Sequence, residues 1–232
     1  MFDITLLWEV RGLILQGFWN TLWICFTGCL LALSLGLVLA ALRLANPRLF
    51  SYPVACYVEL CRGTPLLILL FLLYYGGPSI GLTLSASVAG VVGLGFYGAG
   101  YFAEIYRGGF KSIPAGQLEA ARMLGISRWH ALTRIQIPQM ARLIVPPGTN
   151  QLIILVKESA LISIISVDDL TKNATTIVNQ TFQVIEPYLA VALLYWLMIE
   201  LIARGGYALE KRLANRQPRP DAQQGATPHV HG

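Results

Sequence analysis

The chain has 232 residues, of which 55% are hydrophobic and only 12% are charged. Soluble domains carry about 25% charged residues, so this composition excludes an ordinary water-soluble protein and indicates an all-α, polytopic membrane protein. The formal net charge is only +5, so the positions of the charges are more informative than their sum.

Long apolar stretches predict the first three membrane spans. Residues 12–42 contain no charge and form the first span, the second is expected at residues 51–76, and the third at about residues 82–105. Residues 63–103 are also uncharged, and as a single helix they would reach about 60 Å. Because one crossing needs about 20 residues, the chain must turn back, and the Gly-Gly-Pro-Ser cluster at residues 76–79 is the natural turn.

Two more spans are predicted in the second half of the chain. The fourth covers about residues 143–167, an acidic and polar segment follows at residues 168–186, and the short fifth span covers residues 188–203. We therefore expect a transmembrane domain at residues 1–216. Residues 217–232 have low complexity and are expected to form a disordered cytoplasmic tail.

The distribution of lysine and arginine predicts the orientation of these spans. Most of them lie in residues 43–48, in residues 107–142 and after residue 203. Positively charged loops remain in the cytoplasm. The sequence therefore predicts five spans, with the N-terminus outside and the C-terminus in the cytoplasm.

Residues 117–138 form the one long polar, basic interruption between spans. Gly125 breaks a short helical pattern, Ser127 is placed to cap a second short helix, and Pro138 is expected to end that helix. A pair of short helices held outside the membrane on two spans is expected to be bound by a partner.

This polar segment resembles the EAA loop of bacterial ABC (ATP-binding cassette) importer permeases. Glu119-Ala120-Ala121 and Gly125 match its core, and Ile135, Ile137 and Pro138 match its end. Further motifs, between about residues 17 and 212, resemble those of the polar-amino-acid subfamily: RGTPLL from Arg62, YFAEIYRGG from Tyr101, IPAGQ from Ile113, and Pro138-Gln139, Arg142, Pro146 and Asn150.

The resemblance implies a membrane subunit that imports polar amino acids by alternating access. It implies as partners two ATP-hydrolysing subunits, a second permease subunit and an extracytoplasmic binding protein in the bacterial inner membrane. The residues expected to couple to the ATPase subunits are Glu119, Ala120, Ala121, Arg122 and Gly125. No phosphate-binding G-x-x-x-x-G-K-[ST] motif occurs, so ATP and Mg²⁺ are expected in the partner and no catalytic residue in this chain.

Three other interpretations of these features remain at this stage. The polar segment could be a DNA-binding helix-turn-helix, but no third helix is available to support it. It could also be an amphipathic helix lying on lipid. The whole chain could be a self-sufficient secondary transporter or channel, although no internal repeat is evident across the five spans.

Lys157 and Glu158 are the candidate substrate-binding residues inside the fourth span. Fourteen uncharged residues separate Arg142 from Lys157, a rise of about 21 Å, so both charges are expected in the outer half of the membrane. Intramembrane charges usually face a partner or a water-filled cavity. Ser159, Arg62 and Glu104 complete the predicted set. The subfamily usually has K-D-T/S-S-L where this chain has KESAL, which affects substrate choice.

No metal or nucleic-acid site is predicted. The four cysteines match no zinc-binding spacing and are expected to be small buried hydrophobic residues; they are Cys25, Cys29, Cys56 and Cys61. The glycine pattern beginning at Gly93 formally matches a dinucleotide-binding motif, but no strand precedes it. Small residues in an apolar helix favour close helix packing instead.

Overall fold

A computed structural model of the chain describes residues 4–214, and every regular element in that range is helical. The predicted tail at residues 217–232 lies outside the described residues. The α-helices in the described range are α1 (Ile4–Glu9), α2 (Arg11–Ala45), α3 (Pro47–Gly63), α4 (Leu66–Phe71), α5 (Ala86–Lys111), α6 (Ala115–Met123), α7 (Arg128–Ala131), α8 (Ile137–Glu158), α9 (Leu170–Thr181) and α10 (Ile185–Ala214). Turns of π helix at Leu72–Gly76 and Leu132–Gln136 and of 3₁₀ helix at Gly77–Ile80 and Ser159–Ile165 extend α4, α7 and α8.

Four continuous helical runs in the described range are long and apolar enough to cross a bilayer. They are α2, α5, the run Arg128–Ile165 that contains α8, and α10. The pair formed by α3 and the α4 region supplies a fifth if the two together make one bent span. The predicted all-α fold with about five membrane helices is therefore confirmed.

The centre of the fold is the contact between α2 and α5, where glycines replace side chains. A methyl group added at Gly36 would lie 2.6 Å from the Phe102 side chain, and one at Gly98 would lie 2.7 Å from Ala32. The backbones approach closely because these positions carry no Cβ. Leu94 and Phe102 are consequently buried in the main hydrophobic core.

The region predicted as the second span is bent, and the sequence did not predict this bend. Residues Pro47–Gly63 and Leu66–Ile80 meet at 106°. Thr64 adopts an extended conformation (φ −114°, ψ 131°), as expected for a residue that precedes a proline. Pro65 has no N–H to continue the hydrogen bonds of α3, so the chain changes direction there.

The helical run that contains the predicted fourth span begins well before residue 143, and Pro138 does not end a helix. The helical run extends from Arg128 to Ile165. Pro138 lies at the start of α8, immediately after the π turn Leu132–Gln136. A proline is tolerated in the first turn of a helix, and the wider π turn lets the helical backbone continue past it.

The polar segment at residues 168–186 contains α9, which the sequence interpretation did not predict. The side chain of Asp169 caps α9 by accepting a hydrogen bond from the Lys172 N–H (2.8 Å). The Leu170 N–H donates to the buried Thr21 hydroxyl (3.0 Å), so α9 is fixed against α2. α10 then runs from Ile185 to Ala214, well past the predicted end of the fifth span.

The cysteines are free, and only Cys25 and Cys61 are fully buried. Cys29 is half-buried and Cys56 is exposed. The expectation of burial is therefore wrong for Cys56, which lies on an exposed face of α3.

Candidate functional site

The segment between the third and fourth spans is a helical hairpin, formed by α6, a turn and α7. Gly125 has a left-handed conformation (φ +71°). The Gly125 N–H donates to the Arg122 carbonyl (3.0 Å) and the Ile126 N–H donates to the Ala121 carbonyl (2.9 Å). This pair of hydrogen bonds is a Schellman motif, which ends a helix with a glycine in this conformation. The predicted turn at Gly125 is confirmed.

Ser127 begins the second arm of the hairpin, as predicted. Its side-chain oxygen accepts a hydrogen bond from the His130 N–H (3.3 Å) and lies 2.8 Å from His130 Nδ1. The base of the hairpin is joined by a hydrogen bond from Gln139 to Gln117 (2.7 Å). The hairpin therefore has a defined shape that its own side chains maintain.

The predicted coupling residues differ in exposure. Glu119, Ala120 and Arg122 are exposed, whereas Ala121 is buried within the chain. Ala121 thus supports the hairpin from inside and offers no surface to a partner.

The tip of the hairpin exposes large apolar side chains. Met123 is 90% exposed, Leu124 78% and Trp129 68%. A hollow of about 620 Å³ lies beside them, lined by Gly125, Ile126, Ser127, His130, Arg134 and Ile135. An exposed apolar patch beside a hollow is typical of a protein-binding surface.

Glu158 lies at the end of α8, within electrostatic range of α5. Its carboxylate interacts electrostatically with Tyr97. The hydroxyl groups of Tyr97 and Tyr101 are 3.1 Å apart, and their ring centroids are separated by 5.1 Å. The Glu158 carboxylate of α8 thus interacts with Tyr97 of α5, which in turn contacts Tyr101.

The two residues next to Glu158 in the sequence, Lys157 and Ser159, differ from it in exposure. Lys157 is exposed. Ser159 is buried, donates a hydrogen bond to the Val156 carbonyl (2.8 Å) and accepts one from Cys25 (3.2 Å). Ser159 therefore stabilises the contact between α2 and the end of α8.

Glu104 and Arg62 form a separate charged group. Glu104 pairs with Arg107, lies 4.0 Å from Arg43, and interacts electrostatically with the exposed Arg62. From Tyr97 to Glu104 the rise along α5 is about 10 Å, toward the arginine-rich end of the helix. The predicted substrate residues consequently form two layers, one around Glu158 and one around Glu104.

Sequence reasoning missed the tyrosines and the apolar hairpin tip. Tyr97 and Tyr101 are four residues apart, which places them on one face of a helix, but only the fold brings them to Glu158. Leu124 and Trp129 could have been identified as large apolar residues flanking Gly125 in a polar segment. Between residues 4 and 214, no cluster of three or more histidine, cysteine or acidic side chains could hold a metal ion.

Comparison with known proteins identifies the family. Residues 32–215 match the family described as the binding-protein-dependent transport system inner membrane component. The chain belongs to this family. Members are multi-pass inner-membrane proteins and are the membrane subunits of ABC transporters, so the predicted resemblance is confirmed.

Relatives of this inner-membrane component include two proteins of Bacillus subtilis (strain 168). A probable amino-acid ABC transporter permease is 34% identical, over 93% of this chain and 95% of the relative. A probable glutamine ABC transporter permease is 32% identical, over 91% and 98%. The solved structure of an amino acid ABC transporter with histidines superposes with a TM-score of 0.84 at 32% identity, covering 91% of this chain and 99% of that one.

Proposed function

We propose that this inner-membrane component is the permease subunit of an ATP-driven importer of polar amino acids. The relatives described above are amino-acid and glutamine permeases, and the subfamily motifs occur in the same order along this chain. ATP and Mg²⁺ are bound by the partner ATPase subunits, and a second permease subunit and a binding protein complete the transporter.

The observation that carries this proposal is the unbroken helical run from Arg128 to Ile165. One end of the run is the hairpin arm that carries Trp129 and His130, and Glu158 lies near the other end. Packed helices shift as rigid bodies. A displacement of the hairpin by the ATPase subunits is therefore transmitted along α8 to the membrane layer that contains Glu158.

The exposed hairpin tip supplies the contact with the ATPase subunit. Leu124 and Trp129 offer apolar anchors of the kind that dominate protein interfaces, and Glu119 and Arg122 provide charged groups at its edge. Closure of two ATPase subunits would move the two hairpins together and turn the cavity outward, and their separation would return it to the cytoplasm.

Glu158 is the residue that holds the substrate in this mechanism. Its carboxylate can pair with the α-ammonium group of an amino acid, while Tyr97 and Tyr101 supply hydroxyl groups at its side. The layer around Glu104 and Arg62 lies nearer the cytoplasm and provides a later polar contact on the path. Lys157 offers a positive charge for the substrate carboxylate. Ser159 stabilises the contact between α2 and the end of α8, which positions Glu158.

The orientation follows from the basic hairpin. Residues 107–142 carry many of the lysines and arginines, so this loop faces the cytoplasm and the ATPase subunits. With five spans, the N-terminus is then outside and the C-terminus is in the cytoplasm. The segment that contains α9 faces the binding protein.

The substrate role of Glu158 is tested by Glu158→Gln, with Lys157→Gln as the matched neighbour. We expect Glu158→Gln to raise the half-saturating amino-acid concentration by about tenfold or more, since a lost charge-assisted contact is worth about 1.5–3 kcal/mol. Basal ATP hydrolysis by the assembled transporter should persist. Lys157→Gln should have a smaller effect, because Lys157 is exposed and water screens its interaction with the substrate carboxylate. Unchanged uptake kinetics and selectivity in Glu158→Gln would assign this residue to helix packing.

A further inference from the structure

A long apolar groove runs between α2, α8 and α10. Two cavities form it, of about 650 Å³ and about 200 Å³, and they share the lining residues Leu33 and Leu152. Every residue that lines the larger cavity is apolar. Three of them, Phe26, Leu30 and Leu201, are exposed, so the groove is open along one side. Such a lining solvates neither water nor an amino acid, which separates the groove from the two charged layers of the candidate site.

The groove lies at the depth of lipid acyl chains. Along α8 its lining residues run from Ile144 to Val156, a length of about 18 Å that begins about 3 Å from Arg142. The hydrocarbon layer of a bilayer is about 30 Å thick, so the groove covers more than half of it. Because packed proteins leave few voids, an apolar space that is open to the membrane has to be filled by acyl chains or by another protein segment.

Two arginines lie at one level at the end of this groove. α8 and α10 run in opposite directions, and a Cβ added to Gly206 would contact Thr149. Arg142 is seven residues before Thr149 and Arg212 is six residues after Gly206, so the two arginines are level. Thr149 and Leu209 line the groove, and Arg142 and Arg212 follow them at helical spacing on the same faces.

A third arginine, Arg43 of α2, lies at the same level. α2 and α5 run in the same direction, and a Cβ added to Gly36 would lie 2.6 Å from the Phe102 side chain. Seven residues further along both helices, Arg43 is therefore level with Gly109. A Cβ added to Gly109 would contact Ile144, which is two residues from the arginine of α8.

Positive charge dominates this level of the molecule. Six basic residues and two acidic ones lie near it on these helices; they are Arg43, Arg107, Lys111, Arg142, Lys211 and Arg212, with Glu104 and Glu210. Glu104 is already paired with Arg107 and lies 4.0 Å from Arg43. Between residues 4 and 214, the buried Nε of Arg142 has no hydrogen-bond partner. An anionic group at the end of the groove would supply that partner and balance the excess charge.

We propose that this groove binds an anionic phospholipid, with an acyl chain between α2, α8 and α10 and the headgroup phosphate at Arg142 and Arg212. Basic pockets between transmembrane helices bind anionic headgroups in this way. Under the proposed orientation, the lipid belongs to the cytoplasmic leaflet. The site requires only that the chain spans a membrane, so it is independent of the imported substrate.

Lipid retention by the assembled transporter tests the proposal. The chain is purified in detergent with its ATPase subunits, and bound lipid is counted by native mass spectrometry during titration with phosphatidylglycerol or with zwitterionic phosphatidylcholine. We expect phosphatidylglycerol to bind at least about fivefold more tightly, because each basic residue beside an anionic lipid adds roughly that factor in affinity. Equal retention of the two lipids would show a nonspecific lipid coat and overturn the proposal.

Arg142→Gln tests the headgroup contact, with Arg48→Gln as the matched control. Arg48 is an exposed arginine of α3 that does not line the groove. Arg142→Gln should weaken binding of phosphatidylglycerol about fivefold, whereas Arg48→Gln should leave it unchanged. Equal affinities in the two variants would contradict the assignment of the headgroup to this arginine.

Leu30→Trp tests the acyl-chain contact, even if Arg142→Gln does not accumulate. The larger side chain should fill the groove and reduce retention of phosphatidylglycerol without changing any charge. Val38→Trp, at an exposed position on another face of α2, is the control and should retain the lipid. Full retention by Leu30→Trp would show that the groove holds no acyl chain.

Cysteine cross-linking distinguishes lipid from a second copy of the chain in the groove. Leu30→Cys, in a chain whose four native cysteines are replaced, should form no disulfide between copies under oxidation. Formation of that disulfide would assign the groove to protein and overturn the proposal. These readouts use neither substrate nor ATP hydrolysis, so their failure leaves the proposed import function intact.

Discussion

Gly125 is the residue on which the shape of the hairpin depends. Its φ of +71° lies in the left-handed region, and beyond its two chain neighbours no residue has an atom within 4 Å of the position that a Cβ would occupy. An added methyl group would therefore meet backbone strain and no steric neighbour. The structural requirement for glycine at this position is purely conformational.

We expect Gly125→Ala to weaken coupling without affecting membrane insertion. The left-handed conformation costs a non-glycine residue about 1–2 kcal/mol, which corresponds to a roughly five- to thirtyfold smaller population of the formed turn. Co-purification of the ATPase subunit and amino-acid uptake should both fall at unchanged abundance of the chain.

Gly116→Ala is the matched control for this variant. Gly116 is in α6, also has open space around it, and has no left-handed φ. Alanine should stabilise that helix by about 0.5–1 kcal/mol. Equal losses from the two variants, or no loss from Gly125→Ala, would contradict the importance of the turn.

Asp169 is a buried carboxyl group at the start of α9, outside the membrane spans. Burial raises its pKa to about 6, although the hydrogen bond from the Lys172 backbone N–H opposes the rise. The folded protein thus binds this proton more tightly than the unfolded chain, whose aspartate pKa is about 3.9. The resulting contribution to stability is complete below about pH 4 and is lost as the pH rises through about 6.

Asp169→Asn should therefore reduce the pH dependence of stability. Asparagine can still accept the capping hydrogen bond, but it does not ionise. Above pH 7, the variant should exceed the unchanged chain in free energy of unfolding by at most about 3 kcal/mol. Thermal unfolding in detergent is measured at pH 5 and at pH 8. The unchanged chain should lose more stability than the variant between these two pH values. Identical pH dependence in both proteins would show that Asp169 does not titrate in this range.

At the scale of elements, the sequence predicted the number and type of helices better than their boundaries. Charge-free stretches indicate membrane spans because hydrocarbon excludes charge. They do not show where a helix bends or continues into the cytoplasm. Pro65 lies where the second predicted span bends, whereas Pro138 lies in the first turn of α8 and leaves the helical run continuous.

In the candidate site, too, the sequence predicted local features but not those that depend on tertiary packing. Gly125 and Ser127 act through hydrogen bonds within a few residues, so the sequence alone predicted their roles. Glu158 interacts with Tyr97, more than fifty residues away in the sequence, and only tertiary packing brings them together. α9 was missed because its apolar positions contact α2 and its remaining residues are polar.

Continuity of the helical run is a testable property of this element. We expect replacement of Ile135 and Gln136 by glycine to uncouple the two ends, because each glycine costs a helix about 0.5–1 kcal/mol relative to alanine. The ATPase subunit should still bind, while substrate-stimulated hydrolysis and uptake fall. Alanine at the same two positions is the control. Normal uptake with the glycine pair would show that α8 does not transmit the movement.

At the scale of the whole molecule, the fold joins the exposed hairpin to the polar residues around Glu158 through one helical run. The α2–α5 core is tightly packed through its glycines, so it can serve as the fixed body. The run Arg128–Ile165 lies beside it and reaches from the hairpin to Glu158. Under the proposed function, the partner ATPase subunits supply energy at the hairpin and Glu158 contacts the substrate at the other end.

Uptake into proteoliposomes tests this account most directly. The chain is reconstituted with its ATPase subunits and binding protein, and entry of a labelled polar amino acid is followed with and without ATP. We predict uptake that requires ATP hydrolysis by the partner and is strongly reduced by Gly125→Ala. Equal uptake by the chain without ATPase subunits, driven by an ion gradient, would contradict the account.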